Sequence, residues 1–466
     1  MSNAKNKYFG TDGFRGEAGV GLTALHAYKI GRFLGWYYAS ALSGCMETCY
    51  RPRAVIGKDT RISGDMLECA LAAGLCASGA DAYLLHVVTT PCVAYITRED
   101  GFDFGVMITA SHNPFADNGI KIIGRSGEKL CPRDEALAEA YIDGDMQKLC
   151  VRGELPFARG GDIGRVFDYA EGKRRYTEYL SSLGALSLAG LRIGLDTANG
   201  ASYEIAAEVF RALGASVYLI GAEPTGVNVN EACGSTHTEK LCELVRENKL
   251  DAGFAFDGDG DRCIAVDENG SVADGDKILY VLAKRLKRKS ALSGGAVVAT
   301  VMSNSGLSAA LEREGISCVQ TAVGDRFVYE RMKKDGYTLG GEQSGHVIMR
   351  AYATTGDGIL TALMLVQEMR ESGKGLCELA APVVLRPQYL RNVRVKDKEA
   401  ACADSAVIAA VKRAEAFLGS EGRVLLRQSG TEPVLRINIE CADEEKCMIC
   451  AEAIERAITE GGYALG

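Results

Sequence analysis

Arg53-Ala-Val-Ile-Gly-Lys-Asp59 is a short β-branched run, and the thirty residues after it decide the fold. A turn holding Thr60 and Ser63 leads into an Ala/Leu-rich segment to Ala77, then Gly79-Ala80-Asp81, then a second apolar run from Ala82 to Val88. Strand, polar turn, helix, glycine stop and strand is the order of a βαβ unit, with hydroxyl side chains available to cap the helix and glycine to end it. The order returns at Leu191-Arg-Ile-Gly-Leu-Asp196, through the turn Thr197-Ala-Asn199-Gly200 and a helical pattern to Leu213, to Gly214-Ala215 and Val217-Tyr-Leu-Ile220. It returns again at Ala296-Val-Val-Ala-Thr300, through Ser303-Asn304-Ser305-Gly306 and a helix to Arg313, to Gly315 and Ile316–Val319. Apolar strands too short to alternate belong in mixed or parallel sheets covered by helices on both faces. The reading is therefore an α/β protein: three related α/β domains with mixed sheets around a central cleft. The tail differs. A strand over Tyr389–Val395, a helix over Asp404–Leu418, a strand over Val434–Ile439 and a last helix from Glu444 predict a smaller two-layer α+β C-terminal domain.

A chain of 466 residues exceeds the size at which single cores stop growing, which agrees with several domains. Hydrophobic content of 47% and charged content of 24% are those of a folded protein. A net charge of −8, with no Lys/Arg-rich run, argues against a nucleic-acid partner. No apolar stretch is long enough to span a membrane and no secretory segment opens the chain, so a cytoplasmic location without a membrane partner is expected. The 16 cysteines lack the spacing of a disulfide scaffold, and Cys447-x-x-Cys450 has no second pair or nearby His, so free buried thiols are expected.

Four constellations carry chemistry. In Val106-Met-Ile-Thr-Ala-Ser111-His112-Asn113-Pro114 an apolar strand runs into a polar turn, placing Ser111 at the carboxyl end of a sheet, where open α/β sheets bind ligands. His112 and Asn113 add donors, and Lys121 lies ten residues on, able to neutralise phosphate or to move a proton. The bland alternative is an N-cap serine; a hydrolase triad is disfavoured because G-x-S-x-G is absent. In Phe256-Asp257-Gly-Asp259-Gly-Asp261-Arg262 three alternating carboxylates would repel unless a hard cation joined them, which points to magnesium. A calcium EF-hand fails because Arg262 stands where that loop needs Gly and a strand precedes it. In Gly340-Gly341-Glu342-Gln343-Ser344-Gly345-His346 an acceptor, an amide, a hydroxyl and an imidazole between glycines suit sugar hydroxyls. In Arg427-Gln428-Ser429-Gly430-Thr431-Glu432-Pro433 two hydroxyls, one Arg and backbone amides form an anion cradle. A surface turn is the plainer reading of each of the last two.

Together and in this order, these motifs resemble the α-D-phosphohexomutase family from Tyr8 onward. Tyr8-Phe-Gly-Thr-Asp-Gly-Phe-Arg15-Gly is similar to its N-terminal motif, T-A-S-H-N-P to its phosphoserine loop and D-G-D-G-D-R to its metal loop, with Val323-Gly-Asp-Arg326 a further match. Gln343, where mannose and glucose relatives carry Met, and the run R-Q-S-G-T-E-P are nearest to the members acting on glucosamine phosphates; Phe14 departs from their usual Ile or Val. The resemblance implies domains of phosphoserine (1–160), metal binding (161–270), sugar binding (271–378) and phosphate binding (379–466). It implies Ser111, Lys121, Arg15, His112 and His346 as catalytic, with Lys121 and His346 unranked as acid/base. Ser111, Asp257, Asp259 and Asp261 would hold Mg2+, and Arg262 would neutralise the reacting phosphate. Glu342, Gln343, Ser344 and His346 would bind sugar, and Arg427, Ser429, Gly430 and Thr431 the idle phosphate. The implied reaction interconverts glucosamine 6-phosphate and glucosamine 1-phosphate through a 1,6-bisphosphate, with glucosamine or glucose 1,6-bisphosphate as activator, in a homodimer. Action on mannose or glucose phosphates is the alternative, and a non-catalytic sugar-phosphate-binding regulator the remoter one.

Overall fold

A computed structural model describes residues 7–10, 12–43, 50–151, 153–419, 422–428 and 433–465. The chain forms two compact units, one of Met1–Ser303 with Leu311–Pro382 and one of Asn304–Ala310 with Val383–Gly466.

Three sheets build the first unit. The first runs Phe9–Gly10, Gly13–Glu17, Asp117–Gly124, Phe104–Ile108, Arg53–Lys58, Asp81–Val87, Val166–Asp168. Its βαβ strands Arg53–Lys58 and Asp81–Val87 pair in parallel around helix Ser63–Ala77, and Phe104–Ile108 joins them in parallel on the other side. The second runs Val272–Ala273, Cys263–Val266, Ala252–Phe256, Arg192–Asp196, Ser216–Ile220. The third runs Ser317–Thr321, Ala296–Thr300, Leu339–Gly341, Val347–Met349. Phe104–Ile108, Ala252–Phe256 and Ala296–Thr300 are buried at every position, as helices on both faces require.

One construction repeats. In each sheet a strand parallel to the βαβ pair is followed by a polar loop and then by its own antiparallel neighbour. Phe104–Ile108 returns as Asp117–Gly124, Ala252–Phe256 as Cys263–Val266, and Leu339–Gly341 as Val347–Met349. The serine, aspartate and sugar-type motifs are these three loops, so the mixed sheets place them at equivalent ends of equivalent strands.

The glycine stops behave as expected: Gly79 and Gly214 take φ of 83° and 95°. The hydroxyl caps do not. Ile62 and Glu204 occupy the cap positions of the first two crossover helices without a side-chain cap bond. Thr60 Oγ1 instead donates to the Asn199 carbonyl at 2.5 Å, and Ser63 Oγ accepts from Asn118 Nδ2 at 2.8 Å, so these turns use their hydroxyls to hold neighbouring loops. The fourteen described cysteines are free, but Cys69, Cys131 and Cys150 are exposed, against the expectation of burial. Cys131 stands at the cap position of helix Pro132–Asp143, and Cys69 lies on the exposed face of helix Ser63–Ala77.

The second unit is two layers. Strands Gln388–Arg394, Val434–Glu440 and Arg423–Gln428 pair antiparallel in that order. Helices Ser405–Leu418 and Glu444–Glu460 start at side-chain caps from Asp404 and Asp443. They close a core of Val407, Leu435, Ile437, Ile439, Ile454 and Ile458, with Cys447 and Cys450 buried in it.

Candidate active site

The first loop turns at Ser111, a non-glycine residue with φ 54°, in the left-handed region that costs an L side chain energy. The conformation aims the buried hydroxyl across to the second sheet, where Ser111 Oγ donates to Asp257 Oδ2 at 2.5 Å, 146 positions along the chain. Gly258 permits the approach. A Cβ there would lie 2.5 Å from the Ser111 carbonyl oxygen.

Asp257, Asp259 and Asp261 are buried and offer carboxylate oxygens within 4.8 Å of one another. Lys121 comes from the strand that returns from the serine loop, in register with Met107. Its Nζ donates to Asp259 Oδ2 at 2.7 Å and Asp261 Oδ2 at 3.1 Å, and Thr90 Oγ1 donates to Asp259 Oδ2 at 2.5 Å. Asp259 Oδ1 is left buried without a hydrogen-bond partner among the described residues, and Asp261 Oδ1 has no nearer partner there than His346 Nδ1, at 3.5 Å. Under-satisfied anionic oxygens in an all-oxygen donor set fit a hard divalent cation. Burial, then repulsion from Asp261 and Asp259, pushes the Asp257 carboxyl up to about 8. Against burial, Lys121 holds Asp261 well below the usual carboxylate range.

Cations surround this acidic centre. Arg15, on strand Gly13–Glu17, pairs with Asp12 and donates to Asn113 Oδ1 at 3.3 Å. Arg262 gives its backbone N–H to Asp257 Oδ1 at 3.1 Å. Arg15 Nε and Arg262 Nε are buried without a hydrogen-bond partner among the described residues. His112 Nδ1 lies 3.4 Å from Ser111 Oγ, and burial, then Arg262 and Arg15, lower the ring to about 4, so it is neutral at ordinary pH.

His346 is not at an open face. It is buried, with Nδ1 3.5 Å from Asp261 Oδ1 and Nε2 3.5 Å from Asp325 Oδ2. The Gly356 N–H donates to Nε2 at 3.0 Å, so in this arrangement the ring proton sits on Nδ1, facing Asp261. Although burial opposes it, Asp261 and Asp325 raise the affinity of the ring for a second proton. Lys129 donates to Asp325 Oδ2 at 2.6 Å and Asp12 Oδ1 at 2.9 Å, and Asp12 Oδ1 lies 3.4 Å from Lys121 Nζ. Lys121, Asp12, Lys129, Asp325, His346 and Asp261 thus form a closed ring of alternating basic and acidic side chains linking the first and third sheets to the metal-type loop.

In the third loop Glu342 Oε1 accepts from the Gly324 N–H at 3.0 Å, Gln343 Nε2 donates to Asp274 Oδ2 at 3.3 Å, and Ser344 is exposed. Arg427, in the second unit, lies within strand Arg423–Gln428 opposite Arg436 rather than in a loop; Ser429, Gly430 and Thr431 lie outside the described residues. Sequence reasoning missed Asp59, Arg61 and Asn230, which hold the serine loop, and gave no role to Asp12, Lys129 or Asp325. The charged pair directly after the apolar strand Arg53–Lys58 was the available signal for the first two.

Three α/β/α layers with one loop type, converging on a serine, three aspartates and a buried lysine, define a phosphohexomutase-type architecture. The chain belongs to the phosphoglucomutase/phosphomannomutase family: its alpha/beta/alpha domains I, II and III match residues 6–148, 174–270 and 274–384, and its C-terminal domain matches 390–457. Among curated relatives, phosphoglucosamine mutase of Lachnospira eligens is 52% identical over 459 residues, 98% of this chain and 100% of that protein. Phosphoglucosamine mutase of Lachnoclostridium phytofermentans is 49% identical, over 98% of this chain and 99% of that protein. Among solved structures, a phosphoglucomutase/phosphomannomutase family protein from Burkholderia thailandensis superposes with a TM-score of 0.78 at 22% identity, covering 98% of this chain and 99% of that one. Aspergillus fumigatus N-acetylphosphoglucosamine mutase, in complex with GlcNAc-6P and magnesium, gives 0.69 at 18% identity, over 99% and 97%. At those identities the two structures speak for the fold.

Proposed function

We propose that this chain is a phosphoglucosamine mutase, an intramolecular phosphotransferase that interconverts glucosamine 6-phosphate and glucosamine 1-phosphate. The observation that carries the reading is the 2.5 Å contact of Ser111 Oγ with Asp257, inside a buried carboxylate cluster served by Lys121. Identity near 50% to phosphoglucosamine mutases over nearly the whole chain supports the amino-sugar substrate.

Ser111 works as phosphoserine. The bond from its oxygen to phosphorus breaks as one forms to the free hydroxyl of the bound monophosphate, and the hydroxyl proton passes to Lys121 or His346. The resulting 1,6-bisphosphate turns over and returns its other phosphoryl group to Ser111. Such transfers need positioning and charge neutralisation more than covalent help from protein. Asp257, Asp259 and Asp261 would hold magnesium beside Ser111, and the ion, when bound, supplies positive charge to the transferring group. The three carboxylates with a phosphoserine of about −1.5 to −2 leave an excess of negative charge over one divalent ion, which Arg15, Lys121 and Arg262 offset. Lys121 donates to two of the three carboxylates, which against burial favour its charged form, so it must first give up a proton before it takes one, while His346 sits behind Asp261.

The reading includes the domain division at 160, 270 and 378, sugar contacts from Glu342, Gln343, Ser344 and His346, and phosphate contacts from Arg427, Ser429, Gly430 and Thr431. It also includes activation by glucosamine or glucose 1,6-bisphosphate, a homodimer and a cytoplasmic location, all on the family resemblance. Among the described residues no helix is long and apolar enough to cross a membrane.

A coupled assay with Mg2+ and a catalytic amount of bisphosphate tests the substrate. Glucosamine 6-phosphate is expected to exceed glucose and mannose phosphates in kcat/KM by at least ~10-fold, the order that one net hydrogen bond of about 1–1.5 kcal/mol gives. A preference for glucose or mannose phosphate would replace the reading with phosphoglucomutase/phosphomannomutase activity.

Gly258→Ala gives a sharper geometric test. The new methyl group would overlap the Ser111 carbonyl and press on Asn230 Nδ2, 3.1 Å away, so the two loops must part. A displacement of this size is expected to lower kcat by about 10²-fold. Unchanged kcat with unchanged Tm would mean that the loops need not meet.

A further inference from the structure

The hydroxyl of Ser111 reaches Asp257 only because its backbone holds a conformation that serine disfavours, and two residues outside all four motifs grip that backbone. Arg61 is buried, and its five N–H donors are all taken. Nε donates to Asp59 Oδ2 at 2.8 Å; one terminal nitrogen donates to the Pro114 carbonyl and, at 2.9 Å, the Asp117 carbonyl; the other donates to the carbonyls of Ser111 at 2.9 Å and Asn113 at 2.8 Å. Asp59 completes the grip from behind. Its Oδ2 also accepts from Thr109 Oγ1 at 2.7 Å, and Thr109 Oγ1 accepts the Ser111 N–H at 2.9 Å.

The second residue arrives from the loop that follows strand Ser216–Ile220, in the second sheet, the one the aspartates adjoin. Asn230, itself at φ 58° and anchored by its N–H to the Ala198 carbonyl at 2.9 Å, spends both hydrogens of Nδ2 on the same two carbonyls, Ser111 at 2.9 Å and Asn113 at 3.1 Å. The carbonyls of Ser111 and Asn113 therefore each receive one donor from Arg61 and one from the Asn230 loop of the second sheet's domain. A left-handed serine costs on the order of 1–2 kcal/mol relative to its relaxed backbone, and it persists where surrounding bonds over-determine it.

We infer that Arg61 and Asn230 are positioning residues, which act through the carbonyls of Ser111 and Asn113 to hold the phosphoryl-carrying hydroxyl against the metal-type loop. The inference rests on the phosphoserine reading above and assigns to it two residues whose side-chain N–H donors are spent on Asp59 and on loop carbonyls. A lysine cannot substitute for Arg61, because one ammonium offers three donors from a point where this site uses five in a plane.

The variants Arg61→Lys and Asn230→Ala test it, with Ser111 phosphorylation measured by intact mass and kcat expressed per phosphoserine, so that misfolded or unprimed protein does not count as slow enzyme. Both are expected to lose about 10²-fold in that normalised kcat with KM roughly unchanged, and to shift the phosphoserine 31P resonance. Normalised kcat and 31P shift equal to wild type, with only Tm lowered, would reduce both residues to scaffolding and overturn the inference. If Arg61→Lys does not fold, Asn230→Ala decides alone. Should wild-type protein prove unphosphorylated and inactive on every hexose phosphate, the phosphoserine reading falls, and a crystal structure of Asn230→Ala still judges the positioning. Ser111 near φ 54° with Oγ on Asp257 would refute it; a relaxed Ser111 would uphold it.

Discussion

Ser111→Ala is expected to abolish phosphoryl exchange between the two hexosamine phosphates, lowering kcat by at least ~10⁴-fold. The magnitude comes from the chemistry. Without the oxygen there is no phosphoenzyme, and uncatalysed phosphate-monoester chemistry is among the slowest known. The fold should survive, since the change removes one hydroxyl, whose bond to Asp257 Oδ2 at 2.5 Å is worth about 1–3 kcal/mol because the acceptor is a buried carboxylate. Stopped coupled assays with chemical denaturation of the same sample measure both quantities. The neighbour that could confuse the result is Thr90, whose hydroxyl donates to Asp259 Oδ2 at 2.5 Å. If Ser111→Ala kept substantial activity and Thr90→Val then removed it, the nucleophile would have to be reassigned. Activity persisting in the double variant would end the phosphoserine mechanism.

Asp259→Asn is expected to lower kcat by about 10²–10³-fold and to uncouple stability from Mg2+. In the wild-type protein, chelation should suppress activity, and Tm should climb with Mg2+, since an ion bound only by the folded state adds about 2.7 kcal/mol at a hundred times its Kd. The asparagine removes a unit of charge where Lys121, buried, relies on it. Lys121 Nζ would keep Asp261 Oδ2 at 3.1 Å and Asp12 Oδ1 at 3.4 Å, and an amide nitrogen turned toward it would be donor against donor. Both effects predict lower stability in the absence of metal as well. Calorimetric scans across a magnesium series, run beside the assay, give the answer. A wild-type Tm indifferent to Mg2+, with turnover untouched by chelator, would show that the three carboxylates are satisfied by Lys121 and need no ion.

The charge ring explains why such changes should not stay local. Asp12, Lys129 and Asp325 have no place in the proposed chemistry, yet they link Lys121 to His346 through contacts of 2.6–3.5 Å. Burial depresses Lys129 even against the pull of Asp325, a sign that this ion pair is held in a desolvated setting. Altering either end of the ring changes the field at the other.

By itself the sequence determined the elements and the loops. Strand and helix periods, glycine stops and the apolar run ahead of each polar cluster are set by residues within a few positions of one another, so three βαβ units, the small α+β tail, and Ser111, Lys121 and the three aspartates were all legible. Only the tertiary structure decided what those groups touch. Lys121 meets Asp259 and Asp261 from 138 and 140 positions away, Lys129 meets Asp325 from 196, and Arg61 meets the serine loop from about fifty. None of these pairs has a local signature, because a charge or an amide at the end of a strand looks the same whether it faces water or a carbonyl from another sheet. For the same reason Thr60 and Ser63 read as caps: their type was clear, but their partners were set by how whole sheets pack.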